Sequence, residues 1–199
     1  MNQSPSETCR VAVLSGPSGS GKTTIVERLL GQSAVSIEMA VSATTRPARV
    51  GEVHGKHYYF LSSDDFDKQR QAGEFAECAE VHRSGYWYGT LKSEVERIQS
   101  SGRWVLLEID VEGALNVMQM YPDALSFFLK TPSVNEYENR LRSRGTETEE
   151  VIQRRLRTAE EELKSASSYR YRIINDDLDR AVQEICDILE EREKEIHAR

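Results

Sequence analysis

An eight-residue stretch near the start of the chain constrains its fold more than any other feature. Residues 16–23 have the sequence Gly-Pro-Ser-Gly-Ser-Gly-Lys-Thr, which is the spacing G-x-x-x-x-G-K-T. Glycines there let the backbone turn so that consecutive N–H groups point at phosphate oxygens, while the lysine reaches the outer phosphates and the threonine hydroxyl holds Mg²⁺. The predicted phosphate-binding loop comprises Gly16, Pro17, Ser18, Gly19, Ser20, Gly21, Lys22, Thr23 and Thr24.

The flanking sequence supplies the context that such a loop requires. Residues 11–15 form a short apolar run of the buried-strand type, and residues 24–30 place four aliphatic side chains on one helical face. Strand, loop and helix is the order in which the motif occurs in folded proteins. The alternative is a Gly/Ser-rich linker that ends in Lys-Thr by chance, which is expected about once in a hundred chains of this length or less.

Length, charge and composition limit the remaining possibilities. The 199 residues suffice for one α/β domain with one or two insertions. The net charge of −7 argues against a nucleic acid or an anionic membrane as the main partner, so local arginine clusters must hold any anionic substrate. No apolar run approaches the roughly 20 residues of a membrane helix, and residues 1–8 lack the apolar core of a secretory signal, so we expect a cytoplasmic location.

The chain carries three cysteines and four histidines. The cysteines lack C-x-x-C spacing and the histidines lack the spacing of metal ligands, so neither a disulfide framework nor a zinc site is expected.

The order of the predicted elements indicates an α/β fold with three layers and a parallel core sheet. The core is assigned to residues 1–41, 91–132 and 169–199. Residues 42–90 differ from the βα repeats around them, because turn residues there separate short strands, and they predict a small, mostly antiparallel insertion. Residues 133–168 predict two helices, with capping boxes at Ser133/Glu136 and at Thr146/Glu149. We expect the last ten residues to extend the closing helix as a solvated, fraying end.

An apolar strand over residues 104–110 ends in the acidic residues Glu108 and Asp110. Ligands of open α/β sheets bind at the carboxyl ends of the strands. Asp110 is therefore predicted to complete a Mg²⁺ position with Thr23, directly or through water. The alternative is a solvated loop acid.

Several further motifs are long, ordered along the chain and hard to obtain by accident. They are residues 41–49 (VSATTRPAR), Gly51-Glu52-Val53, Gly55-Lys56 with Tyr58, Phe75-Ala76-Glu77, Tyr88-Gly89-Thr90, Glu108-Ile109-Asp110, residues 144–150 (RGTETEE) and Asn175-Asp176-Asp177. Together with the phosphate-binding loop they resemble the guanylate kinases, a family of P-loop nucleoside monophosphate kinases. The resemblance runs from about residue 10 to residue 190.

The resemblance implies a transfer of the γ-phosphoryl group of MgATP to GMP, giving ADP and GDP, in purine nucleotide metabolism. It implies that residues 42–90 bind GMP and that residues 133–168 form a lid over the phosphates. The implied catalytic residues are Lys22, Arg140, Arg144 and Arg155. Three neighbouring arginines, Arg142, Arg154 and Arg157, are the surface-charge alternatives.

The implied acceptor site consists of Ser42, Arg46, Arg49, Tyr58, Glu77, Tyr88, Thr90 and Asp110. Guanidinium forks and phenol donors suit a dianionic phosphate, because charge-assisted and bidentate hydrogen bonds are the strong ones. Guanine offers two adjacent donors on one edge where adenine offers an acceptor, so a single carboxylate, that of Glu77, separates the two bases. Residues 82–87 are two residues longer than the usual turn of the family, so either Tyr86 or Tyr88 faces the phosphate.

Two rival functions use the same fold. Guanylate-kinase-like domains of scaffold proteins have lost catalysis and bind phosphorylated peptides, but the intact Gly21-Lys22-Thr23 and Arg144 count against that role. The second rival is a kinase for another small phosphorylated acceptor, against which Glu77 counts, together with the hydroxyls of Ser42 and Thr90. The sequence indicates no oligomeric state.

Overall fold

The computed structural model describes residues 9–80, 85–143 and 148–198. Strands and helices alternate along most of this length. The strands are β1 (Val11–Ser15), β2 (Ile37–Met39), β3 (Ala43–Thr44), β4 (Tyr59–Phe60), β5 (Phe75–Glu80), β6 (Trp87–Leu91), β7 (Trp104–Glu108), β8 (Leu125–Lys130) and β9 (Tyr171–Ile174). The α-helices are α1 (Lys22–Gln32), α2 (Ser63–Gln71), α3 (Lys92–Ser100), α4 (Val111–Met120), α5 (Val134–Ser143), α6 (Glu149–Lys164) and α7 (Leu178–His197).

The main sheet has five strands in the order β2-β7-β1-β8-β9, and every neighbouring pair is parallel. Parallel sheets are normally covered on both faces, and two apolar clusters cover this one. Side chains of α1 and α7 pack on one face, and side chains of α3 and α4 pack on the other. The predicted three-layer α/β fold with a parallel core sheet is therefore confirmed.

A second sheet has the order β4-β3-β6-β5. The pairs β5–β6 and β3–β6 are antiparallel, whereas β3 and β4 run parallel to each other. The aromatic ring of Phe66 in α2 stacks on that of Phe75 with 4.4 Å between the centroids, and both side chains are buried. This sheet thus has its own small apolar cluster, built from residues of the predicted insertion.

The predicted capping box at the start of α5 forms only in part. The Glu136 N–H donates to the Ser133 hydroxyl at 3.3 Å, but the Glu136 carboxylate binds Arg140 Nε at 2.8 Å instead of returning to residue 133. The buried side chains of Tyr137 and Leu141 anchor α5, and the Tyr137 hydroxyl accepts a hydrogen bond from the Thr131 N–H at 3.1 Å.

The predicted capping box of α6 is wrong. Thr148 is the N-cap and Glu149 is the first helical residue, so Glu149 does not occupy the third position that a box requires. Its carboxylate instead receives two hydrogen bonds from Arg142. Thr146 lies outside the described residues.

The end of α7 is held more firmly than its charged sequence indicates. The carboxylate of Glu193 accepts hydrogen bonds from Arg10 Nε at 2.9 Å and Nη2 at 3.1 Å, and from the Trp104 indole N–H at 2.9 Å. These contacts tie α7 to the start of β7 and to the residue before β1.

A bilayer could not be crossed by any of the helices in the described part of the chain, since none is long and apolar enough.

Candidate active site

The loop between β1 and α1 depends on two glycines that no other residue could replace without strain. Gly16 has φ 139°, and a Cβ atom there would lie 2.1 Å from the carbonyl oxygen of Leu129 in β8. Gly21 has φ 96°, and a Cβ there would lie 2.4 Å from Asn175 Nδ2. Left-handed backbone and such close approaches favour glycine. The loop is therefore packed tightly against the carboxyl ends of the neighbouring strands.

Lys22, the first residue of α1, folds back over this loop. Its ammonium group donates hydrogen bonds to the carbonyl oxygens of Gly16, at 2.5 Å, and Pro17, at 3.2 Å. The next residue, Thr23, donates from its hydroxyl to Glu108 Oε1 at 3.2 Å. The structure thus brings the lysine, the threonine and the end of β7 to one place.

The two acidic residues at the end of β7 have different partners. Asp110 is the N-cap of α4, where Oδ1 accepts a hydrogen bond from the Gly113 N–H at 2.7 Å. The carboxylate that contacts Thr23 is that of Glu108. The sequence predicts Asp110 with Thr23 at the Mg²⁺ position, and in the structure the acid in contact with Thr23 is Glu108.

A cavity of about 380 Å³ opens beside the phosphate-binding loop. Its lining residues come from the loop and α1, from α5 and from the segment after β9; they are Gly19, Gly21, Thr24, Arg140, Ser143, Asn175, Asp176 and Leu178. The side-chain amide of Asn175 donates to the Ser20 carbonyl oxygen at 2.8 Å, and Arg140 Nη2 donates to the Asn175 carbonyl oxygen at 2.9 Å. Asn175 and Asp176 have no role predicted from the sequence, although they follow β9 at the carboxyl edge of the sheet.

The predicted lid arginines have different surroundings. Arg155 in α6 donates from Nη1 to the hydroxyl of Ser18 at 3.2 Å, so this helix reaches the loop. Arg140 lies at the cavity and is paired with Glu136. Arg142 is engaged with Glu138 and Glu149 in ion pairs. Arg144 lies outside the described residues.

The predicted phosphate-binding residues of the second sheet form an aromatic and cationic cluster. Arg46 Nε donates to the Tyr88 hydroxyl at 3.3 Å, and the Arg46 guanidinium lies 5.4 Å from the centroid of the Tyr58 ring. The rings of Tyr58 and Tyr88 meet edge to face at 5.9 Å. Tyr88 therefore lies with Arg46 and Tyr58, whereas Tyr86 is 40% exposed. Arg49 is exposed in the same loop as Arg46.

Glu77 is a buried carboxylate on β5, only 8% exposed. Its Oε1 atom accepts a hydrogen bond of 2.9 Å from the Thr90 hydroxyl, and a Cβ atom at Gly113 would lie 2.7 Å from its Oε2 atom. Burial and the negative charge of Asp110 raise the pKa of Glu77 to about 7 despite the hydrogen bonds from Thr90. Ser42 lies just before β3, where its carbonyl oxygen accepts from the Tyr59 N–H at 2.9 Å.

Glu162 is an acidic residue of α6 that sequence reasoning missed. Burial raises its pKa to about 7, with the positive charge of Lys22 opposing and the negative charge of Asp110 adding to the effect. Glu162 is therefore within electrostatic range of the loop lysine. No spacing or motif in the sequence distinguishes it from the other glutamates of this helix.

The chain is similar over most of its length to one family. The family model described as "Guanylate kinase" matches residues 8–192. The guanylate kinase of Rhodopirellula baltica is 45% identical over 93% of this chain and 89% of the relative. That of Caldanaerobacter subterraneus subsp. tengcongensis is 44% identical over 89% of this chain and 84% of the relative. A crystal structure of guanylate kinase from Anaplasma phagocytophilum superposes with a TM-score of 0.70 at 34% identity, covering 92% of this chain and 86% of that one.

Proposed function

The chain belongs to the guanylate kinase family, and on that premise we propose how its residues carry out the reaction. The enzyme is an ATP:GMP phosphotransferase that converts ATP and GMP into ADP and GDP. The observation that carries the assignment of its parts is the position of Glu77, a buried carboxylate held by Thr90 beside the N-terminus of α4.

The acceptor is bound by the second sheet and by the loop between its strands β3 and β4. Arg46, Arg49, Tyr58 and Tyr88 hold the phosphate of GMP through cationic and phenolic donors. The Glu77 carboxylate accepts from the two adjacent donors on the guanine edge, with the hydroxyls of Ser42 and Thr90 beside it. Because hydrogen bonds from the two guanine donors stabilise the charged carboxylate, bound guanine lowers the pKa of Glu77 from its value of about 7.

The donor is bound by the phosphate-binding loop and the cavity next to it. Backbone N–H groups of residues 18–21 and the Lys22 ammonium contact the phosphates of ATP, which requires Lys22 to leave the carbonyl oxygens of Gly16 and Pro17. The 380 Å³ cavity takes the nucleoside part. Arg140 and Asn175 thereby become donor-site residues.

The site fits Mg²⁺ when ATP is present. The Thr23 hydroxyl and the Glu108 carboxylate are hard oxygen donors already in contact, and we propose that they hold the ion, with Asp110 acting through water. The described residues contain no group of three or more His, Cys, Asp or Glu side chains that could hold a metal by themselves. Mg²⁺ is usually bound by one or two carboxylates plus substrate phosphates. The bound ion would neutralise charge on the transferring phosphoryl group.

Residues 133–168 act as the lid over the core (1–41, 91–132 and 169–199) and the insertion (42–90). Arg140, Arg144 and Arg155 stabilise the charge that spreads over the phosphoryl oxygens in a loose transition state, and no covalent intermediate is needed. Closure also excludes water that would hydrolyse ATP. We place the reaction in the cytoplasm, where both nucleotides are available.

A coupled assay of ATP consumption tests the function directly. GMP, AMP, UMP and dTMP are supplied in turn as acceptors, and turnover is expected with GMP alone. Equal or faster turnover with another acceptor would identify the rival kinase. If none of the four acceptors led to ATP consumption, the result would favour a binding domain.

A further inference from the structure

Most of the donor capacity of Arg46 is already used within the protein. Its Nη1 atom donates to Glu52 Oε2 at 2.9 Å and to the Pro47 carbonyl oxygen at 2.7 Å, and its Nη2 atom donates to Glu52 Oε1 at 2.9 Å. The Nε atom donates to the Tyr88 hydroxyl. A guanidinium carries five N–H groups, so one N–H, on Nη2, remains for a ligand after the contacts to described residues.

The same carboxylate also fixes the backbone of Arg49. Glu52 Oε2 accepts a hydrogen bond from the Arg49 N–H at 2.7 Å, and the Glu52 N–H donates to the Arg49 carbonyl oxygen at 3.0 Å. Hydrogen bonds from Arg46 and then from Arg49 hold the pKa of Glu52 at about 2, so this group stays ionised near neutral pH. One acidic residue therefore connects both arginines that are proposed to bind the acceptor phosphate.

We propose that Glu52 is the positioning residue of the acceptor-phosphate site, an inference that rests on the proposed function. Its carboxylate takes one edge of the Arg46 fork and presents the remaining Nη2 hydrogen to the phosphate of GMP. The Tyr88 oxygen accepts from Arg46 Nε, so its own hydrogen is directed to another acceptor, and the phosphate is that acceptor. Arg46 then binds phosphate through a single N–H, and the bidentate contact that the sequence predicts for this residue is made to Glu52.

Glu52 could instead compete with the phosphate of GMP for Arg46. In that role the carboxylate occupies Arg46 only until GMP arrives, the phosphate displaces it, and removal of the carboxylate would not weaken GMP binding. The confinement of Arg46 favours positioning: its side chain is 11% exposed, and it lies between Glu52, the Pro47 carbonyl, Tyr88 and the Tyr58 ring. A displaced Glu52 would also release the Arg49 backbone.

Two substitutions separate these roles. Glu52→Asp keeps the charge, but its side chain is one methylene shorter and cannot span both Arg46 nitrogens and the Arg49 N–H. Glu52→Gln keeps the length of the side chain but removes the charge and one acceptor. Glu193→Gln is the matched control, because Arg10 and Glu193 form a bidentate bridge at 2.9 Å and 3.1 Å with side-chain exposures of 16% and 21%, close to the 11% and 20% of Arg46 and Glu52.

The measurements are kcat, KM for GMP and for ATP, and equilibrium binding of GMP and of guanosine, which lacks the phosphate. Both Glu52 variants should raise KM and Kd for GMP at least about tenfold, the loss expected for one charge-assisted contact. Guanosine binding, KM for ATP and kcat should stay within about threefold, and Glu193→Gln should match wild type in every nucleotide constant.

Unchanged or tighter GMP binding by Glu52→Gln would overturn the proposal in favour of competition. An equal loss of guanosine binding would overturn it in favour of a purely structural role. Failure of the proposed function itself is distinct from both, since wild type would then not turn over GMP in the same assay.

Discussion

The Thr90 hydroxyl donates a hydrogen bond of 2.9 Å to the carboxylate of Glu77, its register partner on the neighbouring antiparallel strand. Thr90 is fully buried and Glu77 is 8% exposed. A buried carboxylate costs free energy unless its hydrogen-bonding capacity is used. Thr90 supplies one donor, and in the proposed complex the guanine edge supplies two more. The pair therefore links base recognition to the protonation state of one side chain.

Replacement of Glu77 by glutamine tests this link through base selectivity. The amide keeps the size of the side chain but carries one acceptor and one donor, so one guanine N–H should lose its partner, at a cost of about 1–3 kcal/mol. The kcat/KM for GMP should fall about 10- to several-hundred-fold, and that for AMP should fall less or rise. The GMP/AMP ratio of kcat/KM is the measured quantity. Glu80→Gln, an exposed change on the same strand, serves as the control, and an unchanged ratio in the Glu77 variant would show that Glu77 does not select guanine.

The raised pKa of Glu77 predicts how stability depends on pH. The folded protein holds this proton up to pH about 7, whereas the ordinary value is 4.5, so the folded state binds more protons and loses stability as pH rises between these values. The difference corresponds to about 3 kcal/mol at about 1.4 kcal/mol per pKa unit. Glu77→Gln should therefore unfold at a higher temperature than wild type at pH 8 and close to it at pH 4.5. A Tm difference that does not change between these pH values would show that the pKa of Glu77 is not raised in the folded protein.

The parallel core could be predicted from the sequence because its signals are local. The loop motif fixes β1 and α1, and continuous apolar runs mark β7 and β8 as strands buried on both faces. The roles of Glu77 and Arg46 followed from the resemblance, but their environments did not. The burial of Glu77 depends on the absence of a side chain at Gly113, which lies 36 positions away.

The parts that sequence reasoning missed are contacts between distant or aperiodic segments. The donor cavity combines the phosphate-binding loop with α5 and the residues after β9. Only the resemblance placed α5 near the phosphates, and no role was predicted for the residues after β9. Glu52 lies in an irregular loop, where no periodic pattern of residues predicts its ion pair with Arg46. Glu149 is the first residue of α6 and so cannot close a capping box, and its carboxylate makes a bidentate contact with Arg142.

Lys22→Ala should nearly abolish phosphoryl transfer without unfolding the protein. The ammonium group is proposed to stabilise charge on the transferring phosphate, and the loss of one such electrostatic donor costs at least about 10²-fold in rate. The hydrogen bonds from its ammonium group to the carbonyls of Gly16 and Pro17 join residues of a single loop, so a circular-dichroism melt should stay close to wild type. Lys164→Ala, an exposed change in α6, is the control. Activity within threefold of wild type in Lys22→Ala would contradict a donor-binding role for the loop.

Arg155→Ala should lower kcat far more than it weakens GMP binding. Arg155 reaches Ser18 of the phosphate-binding loop from α6, and its charge is proposed to act in the closed, transition-state complex. Arg144→Ala should behave in the same way. The neighbouring exposed Arg154 offers the matched control, Arg154→Ala, which should change neither constant by more than about threefold. If Arg155→Ala instead raised the Kd for GMP and left kcat unchanged, Arg155 would belong to the acceptor site.

Glu94 should contribute stability that depends on pH in the sense opposite to Glu77. Glu94 is only 3% exposed. Its carboxylate accepts hydrogen bonds from the Val41 N–H at 3.1 Å, from the Tyr59 hydroxyl at 3.2 Å and from Arg97 Nε and Nη2, both at 2.9 Å. Burial acts to raise the pKa of Glu94, but the hydrogen bonds from Arg97 and Val41 outweigh it and hold the pKa below its ordinary value.

A carboxylate with a lowered pKa stabilises the fold above its ordinary pKa, and that stability is lost as pH falls through the folded-state value. Glu94→Gln should therefore reduce the free energy of unfolding at pH 7 by roughly 1–3 kcal/mol, since it leaves buried donors without a charged acceptor. In a chain of this length each kcal/mol lowers Tm by about 2–4 °C. Thermal unfolding at pH 7 and at pH 3 is the measurement, with Glu96→Gln on the exposed side of the same helix as the control. The Tm difference between Glu94→Gln and wild type should shrink at pH 3, because wild type then begins to lose the same charge; a difference that grows at low pH would mean that the Glu94 charge does not stabilise the fold.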